Sequence, residues 1–275
     1  MIKRMNTRQS RTESRGQSFV ELALTLPLLL IMVVGMLEIV FAFNDYMQMI
    51  DGTRNGARAS ADTNPYPKNS TLYDDGEDCS STGYFFRVVG CNTATYLKPI
   101  DIDREGYGTV EAGSPACINK DTEPDKFTND IVVTLFSTSL LNSDVDGSGP
   151  LTAPSVEIKR FDDNAWVSPA DPYLVEDTDS SGWSYMRDQY SYTGGSGTAR
   201  GMCSALSTAQ IRNWLVGGND GSIAAPNNGY LLVEVFYRHY QLFDAPIFGD
   251  VFPNPINLYS YAIFSNSATE ATATP

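Results

Sequence analysis

An apolar run from Phe19 to Phe43, broken by charge only at Glu21 and Glu38, constrains this chain more than any other feature. A helix needs about 20 apolar residues to cross a bilayer. A removable secretory signal has a shorter apolar core, about 7–15 residues, with a small-residue cleavage site after it. This run is longer and flows directly into more helical pattern, so it reads as one membrane span. Lys3, Arg4, Arg8, Arg11 and Arg15 precede it. Basic residues favour the cytoplasmic side, so the N-terminus is expected inside and the body outside. Pro27 falls within the span and reads as a mild kink, which membrane helices tolerate.

Glu21 lies at the cytoplasmic edge of the span, where a carboxylate costs free energy. It is either an interfacial group reaching the headgroups or an intramembrane charge with a specific partner. Glu38 is no candidate for that partner. It lies about 25 Å along the same helix, on a different face, and is expected at the outer interface.

The acidity of the rest narrows the choice of partners. The 275-residue chain carries a formal net charge of −14. Without residues 1–16, which hold five basic residues and Glu13, 14 Lys and Arg face 32 Asp and Glu, a net of −18. Phosphate backbones would repel such a body, so nucleic acid is not an expected partner.

The order Arg15-Gly16-Gln17-Ser18-Phe19-Val20-Glu21-Leu22-Ala23-Leu24, then Leu26-Pro27-Leu28-Leu29-Leu30, Gly35 and Glu38, resembles the TadE-like family. These are minor pilin-like proteins of the Tad (Flp) pilus assembly system. Asn44-Asp45-Tyr46 and Thr53-Arg54-Asn55-Gly56-Ala57-Arg58 continue the likeness. The resemblance implies processing by a prepilin peptidase, cutting after Gly16 and freeing Gln17. Glu21 then becomes the fifth mature residue and pairs with the N-terminal amine of a neighbouring subunit. A paired charge costs far less to bury than a lone one. Leu22 stands where pilin relatives often carry tyrosine, and the chain is much longer than a major pilin. The related TadG-like family carries a D-x-S-x-S metal motif, which does not occur here.

Beyond Glu38 the helical pattern continues. Ile39, Phe43, Tyr46, Ile50, Thr53, Ala57 and Ala61 recur at spacings of three and four and form one stripe. It packs either on the chain's own body, the favoured reading, or on another subunit. Gly52 and Gly56 permit close backbone approach to whichever it is. Asn64-Pro65 and Pro67 end the helix.

The body reads as strands separated by long loops. Strand candidates are Tyr84 to Val89, Ile131 to Phe136, Ser155 to Phe161, Tyr230 to Tyr240 and Ile256 to Phe264, each rich in β-branched or aromatic residues. In the fourth, Leu231, Val233, Val235 and Tyr237 share one face, and Glu234 and Arg238 share the other. The last two candidates are expected to be antiparallel neighbours. Residues 64–83 read as loop, and a long insert, about 162–229, separates the last two strands from the earlier ones, with Thr193 to Gly201 especially loose and a short helix at Ser207 to Val216. The expected organisation is a cytoplasmic basic leader (1–16), a transmembrane and stalk helix (17–63), an extracytoplasmic domain (64–264) and a disordered tail (265–275). The fold class is α+β, a long N-terminal helix followed by a mainly antiparallel β domain.

Cys79, Cys91, Cys117 and Cys203 all follow the span, in a compartment where disulfides are the default. The favoured pairing is Cys79–Cys91 with Cys117–Cys203, since the first closes a short local loop. No C-x-x-C occurs and His239 is the sole histidine, which argues against zinc. Three stretches, beginning at Asp101, Asp144 and Asp177, place oxygen side chains at positions 1, 3 and 5 with glycine at 6, as in the first half of an EF-hand loop. Only the third keeps a carboxylate at position 12. Asp177, Asp179, Ser181 and Asp188 are therefore the candidate calcium ligands, set against a reading as acidic surface turns. Calcium is the only cofactor this pattern offers.

No catalytic constellation stands out. His239 lies near a strand end and reads as a sheet residue. No G-x-S-x-G elbow occurs, and the Gly-rich run lacks the Lys-Ser/Thr of a phosphate loop. Carboxylates are plentiful enough for a glycosidase-like pair, but nothing singles one out. The sequence therefore points to a non-enzymatic, membrane-anchored pilin-like component acting in pilus assembly, secretion or adhesion. Its expected location is the cytoplasmic (inner) membrane, with display on a pilus or the cell surface. Expected partners are the lipid bilayer, prepilin peptidase, other pilin-like subunits and the Tad assembly platform. The alternative is an anchored surface binding protein, for glycan, ligand or calcium, with no assembly role.

Overall fold

The computed structural model describes residues 14–63, 85–102, 117–143, 150–161, 174–176, 182–186, 189–190, 201–207, 210–211, 229–242 and 253–266. It is α+β: two helices pack on an antiparallel sheet. Helix α1 runs Ser14–Ser60 and α2 runs Phe85–Leu97. The strands are β1 (Asp130–Ser143), β2 (Pro150–Phe161), β3 (Leu174–Glu176), β4 (Trp183–Ser184), β5 (Gln189–Tyr190), β6 (Gly229–His239) and β7 (Ile256–Ser265). Strands β7, β6 and β1 lie side by side. The far edge of β1 is shared, pairing with β2 along its C-terminal half and with β4 at Val132 and Val133. As expected, β6 and β7 are antiparallel neighbours, in register from Tyr230↔Ser265 to His239↔Ile256.

The core lies between the helices and one sheet face. Ile131, Val133 and Leu135 of β1 and Leu231, Val233 and Val235 of β6 meet Met49 and Ala57 of α1 and Phe86, Val89 and Leu97 of α2. The opposite face is covered too. Val132 and Phe236 pack with Ile118, Phe127 and Met202, and Phe136 and Leu232 pack with Leu206 and Ile211. A strand covered on both sides reads as a continuous apolar run, which is why Ile131 to Phe136 shows no clean alternation.

The structure overturns one expected element. Residues Phe85 to Val89 are helical, the first turns of α2. Their aromatic and β-branched composition suits a strand, but propensity yields to tertiary packing. Phe85, Phe86, Val89, Thr93 and Leu97 are all buried, on the three-and-four spacing of a helix face turned toward α1 and the sheet. The helix expected from Ser207 is seen at its start. Ser207 and Gln210 cap each other: Gln210 N–H donates to Ser207 Oγ at 3.2 Å, and Ser207 N–H donates to Gln210 Oε1 at 2.9 Å. This is a capping box.

The layer over the second face is tied down covalently and by a buried carboxylate. Cys117 and Cys203 form a disulfide, with Cα atoms 5.0 Å apart. Beside it, Ile118 and Met202 form a parallel bridge. Met202 N–H donates to Asp130 Oδ2 at 2.8 Å, and Ser184 Oγ donates to the same oxygen at 2.7 Å. Asp130 Oδ1 accepts from the backbone N–H groups of Ile131 and Met186. One fully buried carboxylate thus joins the start of β1, the turn after β4 and the disulfide-bonded segment. Burial pushes its pKa up to about 6, with the four hydrogen bonds pulling the other way. Cys91 is also disulfide-bonded; Cys79 lies outside the described residues.

Candidate functional site

The residues singled out for processing and pairing sit on α1, which runs through Gly16, Gln17 and Glu21 in one helix. Glu21 is exposed. Thr25 Oγ1 donates to the Glu21 carbonyl at 2.9 Å, a bond back along the helix that leaves the carboxylate uninvolved. Pro27 lies inside the helix. From Phe19 to Phe43 the large apolar side chains stand out from the protein, with Leu24 72% and Leu28 63% exposed. Water would hydrate this surface at a cost of about 25 cal/mol per Å². The segment is long and apolar enough to cross a membrane, and lipid is the solvent that removes that cost.

Beyond the apolar segment, α1 changes character and becomes part of the body. Its buried positions are Met49, Gly52, Thr53, Gly56, Ala57, Ser60 and Ala61. The expected stripe is right at Thr53, Ala57 and Ala61. It fails at Ile39 and Phe43, which are 56% and 61% exposed, because there β7 faces α1 only across an open groove lined by Ile256 and Leu258. The glycines do permit close approach, and the partner is α2 of the same chain. A Cβ on Gly52 would lie 2.7 Å from Leu97 Cδ2, and one on Gly56 would lie 2.6 Å from Thr93 Cα.

Three polar contacts tie α1 and the turn after it to the end of β6, the residues that follow it and the residue after β7. Glu38 Oε2 accepts from Leu242 N–H at 3.1 Å. His239 Nδ1 lies 2.7 Å from Asp45 Oδ2. Asn266 Nδ2 donates to the Thr63 carbonyl at 3.2 Å. His239 is a sheet residue, the last of β6, and it is buried. Its Nε2 has no hydrogen-bond partner among the described residues. The Nδ1–H tautomer suits both facts: it donates to Asp45 and leaves a lone pair, rather than a proton, without a partner.

Sequence reasoning missed two buried carboxylates. Asp130 is one. The other is Glu234, placed correctly on the face opposite Leu231 but buried there. Its Oε1 accepts from Ala205 N–H at 2.9 Å and from the Tyr259 hydroxyl at 2.7 Å. Burial and this neighbour hold the Tyr259 phenol well above its ordinary pKa. Burial, with Asp45 next, also raises Tyr237. A signal existed in each case, a lone acid inside an otherwise apolar strand. The sequence did not name the donors, which lie far away along the chain.

The candidate calcium ligands Asp177, Asp179, Ser181 and Asp188 lie outside the described residues, as does Asp144 to Gly149. Among the described residues no cluster of three or more His, Cys, Asp or Glu could hold a metal ion.

Residues 16–58 match the family model described as TadE-like protein. The match covers α1 from Gly16 to Arg58 and none of the sheet. It agrees with the resemblance drawn from the N-terminal residues. No curated protein and no solved structure matches the chain.

Proposed function

We propose that this chain is a membrane-anchored, pilin-like minor component of a Tad-type pilus system, acting through its N-terminal helix. Residues 1–16 are a cytoplasmic leader, removed by prepilin peptidase after Gly16. Gln17 becomes the mature N-terminus. The apolar part of α1 sits in the cytoplasmic membrane, and the sheet domain lies outside it. Glu21 pairs with the free amine of a neighbouring subunit, bringing helices together for entry into a filament or its assembly base. The role is non-enzymatic.

One observation carries this reading. The TadE-like match ends where α1 is already built into the body, and it begins at the glycine before the apolar segment. The matched helix is thus two things in series: a bare apolar rod and a stalk sewn into its own domain. A rod of that kind is suited to lateral assembly in lipid. The domain's position on it is fixed by the Asp45 and Glu38 contacts.

The test is the mature N-terminus, read by mass spectrometry on protein from native membranes. The expected first residue is Gln17. Intact Met1 in cells with active prepilin peptidase would sink the proposal. Glu21→Ala separates it from an anchored binding protein. The substitution impairs piliation under the assembly reading, while a mere anchor would keep both surface display and piliation.

A further inference from the structure

The contacts along α1 set the height of the body above the bilayer. His239 meets the helix at Asp45 and Leu242 meets it at Glu38. Seven helical residues span about 10 Å, and three extended residues reach about the same distance. The chain leaving β6 therefore runs straight down α1 toward the apolar segment. From Phe19 to Glu38 the helix covers about 28 Å, close to the roughly 30 Å hydrocarbon thickness of a bilayer. With Phe19 at one edge of that layer, Leu242 lies at the other.

The side chains along this descent suit that depth. Leu242 is 66% and Tyr240 60% exposed. The Arg238 guanidinium lies 5.5 Å from the centre of the Tyr240 ring, placing a cation beside an aromatic ring. Aromatic side chains favour the headgroup level, and a basic side chain suits the phosphate layer. Between the descent and α1 lies a half-open groove of about 300 Å³, lined mainly by apolar atoms of Gly35, Ile39, Phe43, Tyr46, Ile256 and Leu258. Its lower end, Gly35, lies below Glu38 and so within the hydrocarbon.

We infer that the 240–242 descent is a second membrane contact, with Tyr240 and Leu242 in the outer interface and a phospholipid acyl chain filling the groove beside them. The occupant follows from continuity. The groove opens onto the same helix face, at the same depth, as the span itself. It offers an acyl chain apolar walls, with Glu38 and Gln241 as the polar groups at its rim. The domain then rests on the membrane instead of standing clear of it on a free stalk. This rests on the reading of α1 as a membrane span.

Site-directed spin labelling of the full chain, reconstituted in phosphatidylcholine–phosphatidylglycerol vesicles, tests it. The described cysteines are all disulfide-bonded, so single added cysteines report selectively. Leu242→Cys and Tyr240→Cys are compared with Met32→Cys in mid-span and Asn55→Cys on the exposed stalk. Collision with oxygen relative to a water-soluble nickel complex reads the depth. The expected ratio at 242 lies below that at 32 and several-fold above that at 55, with 240 between 242 and 55. A ratio at 242 equal to that at 55, with 32 in lipid, overturns the inference and leaves the span intact. A ratio at 32 equal to that at 55 overturns the span itself. Shielding of 242 from both quenchers means that protein, such as a second copy, covers the groove, and also overturns the inference.

Discussion

Replacing Gly56 with alanine tests the account of how the stalk joins the body. A methyl there would lie 2.6 Å from Thr93 Cα and 2.8 Å from Thr93 Cβ. The obstacle includes backbone, which cannot swing aside, so α1 and α2 must separate by several tenths of an ångström. Overpacking of this kind costs about 1–3 kcal/mol. The gain in helix propensity from glycine to alanine returns about 1 kcal/mol. Because backbone is the obstacle, the upper part of the overpacking range applies, and the net expectation is a loss of about 1–2 kcal/mol, a fall in Tm of about 2–8 °C for a domain of this size. Gly52→Ala differs in kind. Its nearest neighbour is the side-chain end Leu97 Cδ2 at 2.7 Å, with the Leu97 backbone Cα farther off at 3.1 Å, so its loss should be smaller than that of Gly56→Ala. Asn55→Ala, on the exposed face, is the control for propensity alone. The assay is thermal unfolding of the detergent-solubilised full chain, followed by near-UV circular dichroism. Trp183 supplies the signal, buried and stacked 6.2 Å from Phe86 of α2. A Gly56→Ala protein melting at or above wild type, in step with Asn55→Ala, would refute the reasoning. Weakened self-association with unchanged Tm would assign the glycines to a partner helix instead.

Three further expectations follow from buried groups. Asp130 has a folded pKa of about 6 against 3.8, so the folded state holds its proton to higher pH than the unfolded state does. Its contribution is fully present below about pH 4 and is lost as pH rises through 6, on the order of 3 kcal/mol. Urea midpoints at pH 4.5 and 7.5 should differ less in Asp130→Asn than in wild type; equal pH slopes would remove Asp130 as the cause. Tyr259→Phe deletes a hydrogen bond to a buried carboxylate and should cost about 1.5–3 kcal/mol in urea unfolding at pH 7, whereas no change would mean the Glu234 contact contributes nothing. Cys117→Ser with Cys203→Ser opens a link between residues 86 apart. Loop-closure entropy puts its loss at about 4–5 kcal/mol, and a Tm within a degree of wild type would contradict that.

The local character of most elements was legible. The span, the four main strands and the β6–β7 hairpin follow from apolar length and from β-branched and aromatic runs, which act over neighbouring residues. The region around Phe85 was misread for the same reason. Its composition favours a strand, but the choice was made by a surface on α1 that only the fold creates. The stripe on α1 was read correctly where α2 and the sheet cover it, and wrongly at Ile39 and Phe43, where β7 stands off across an open groove. Periodicity gives a helix its face but says nothing of how far the covering layer extends.

The sequence by itself determined that one segment is long and apolar enough to cross a membrane, and that the processing and pairing candidates Gly16, Gln17 and Glu21 stand at its head. Those properties depend on order along one helix. Tertiary structure alone decided that α1 is bolted to the body through Asp45 and His239, that Gly52 and Gly56 serve α2, and that Asp130 and Glu234 are buried hubs. Each of these joins residues tens to hundreds of positions apart. The partner of a buried polar group is set by where the chain returns, which no local pattern encodes.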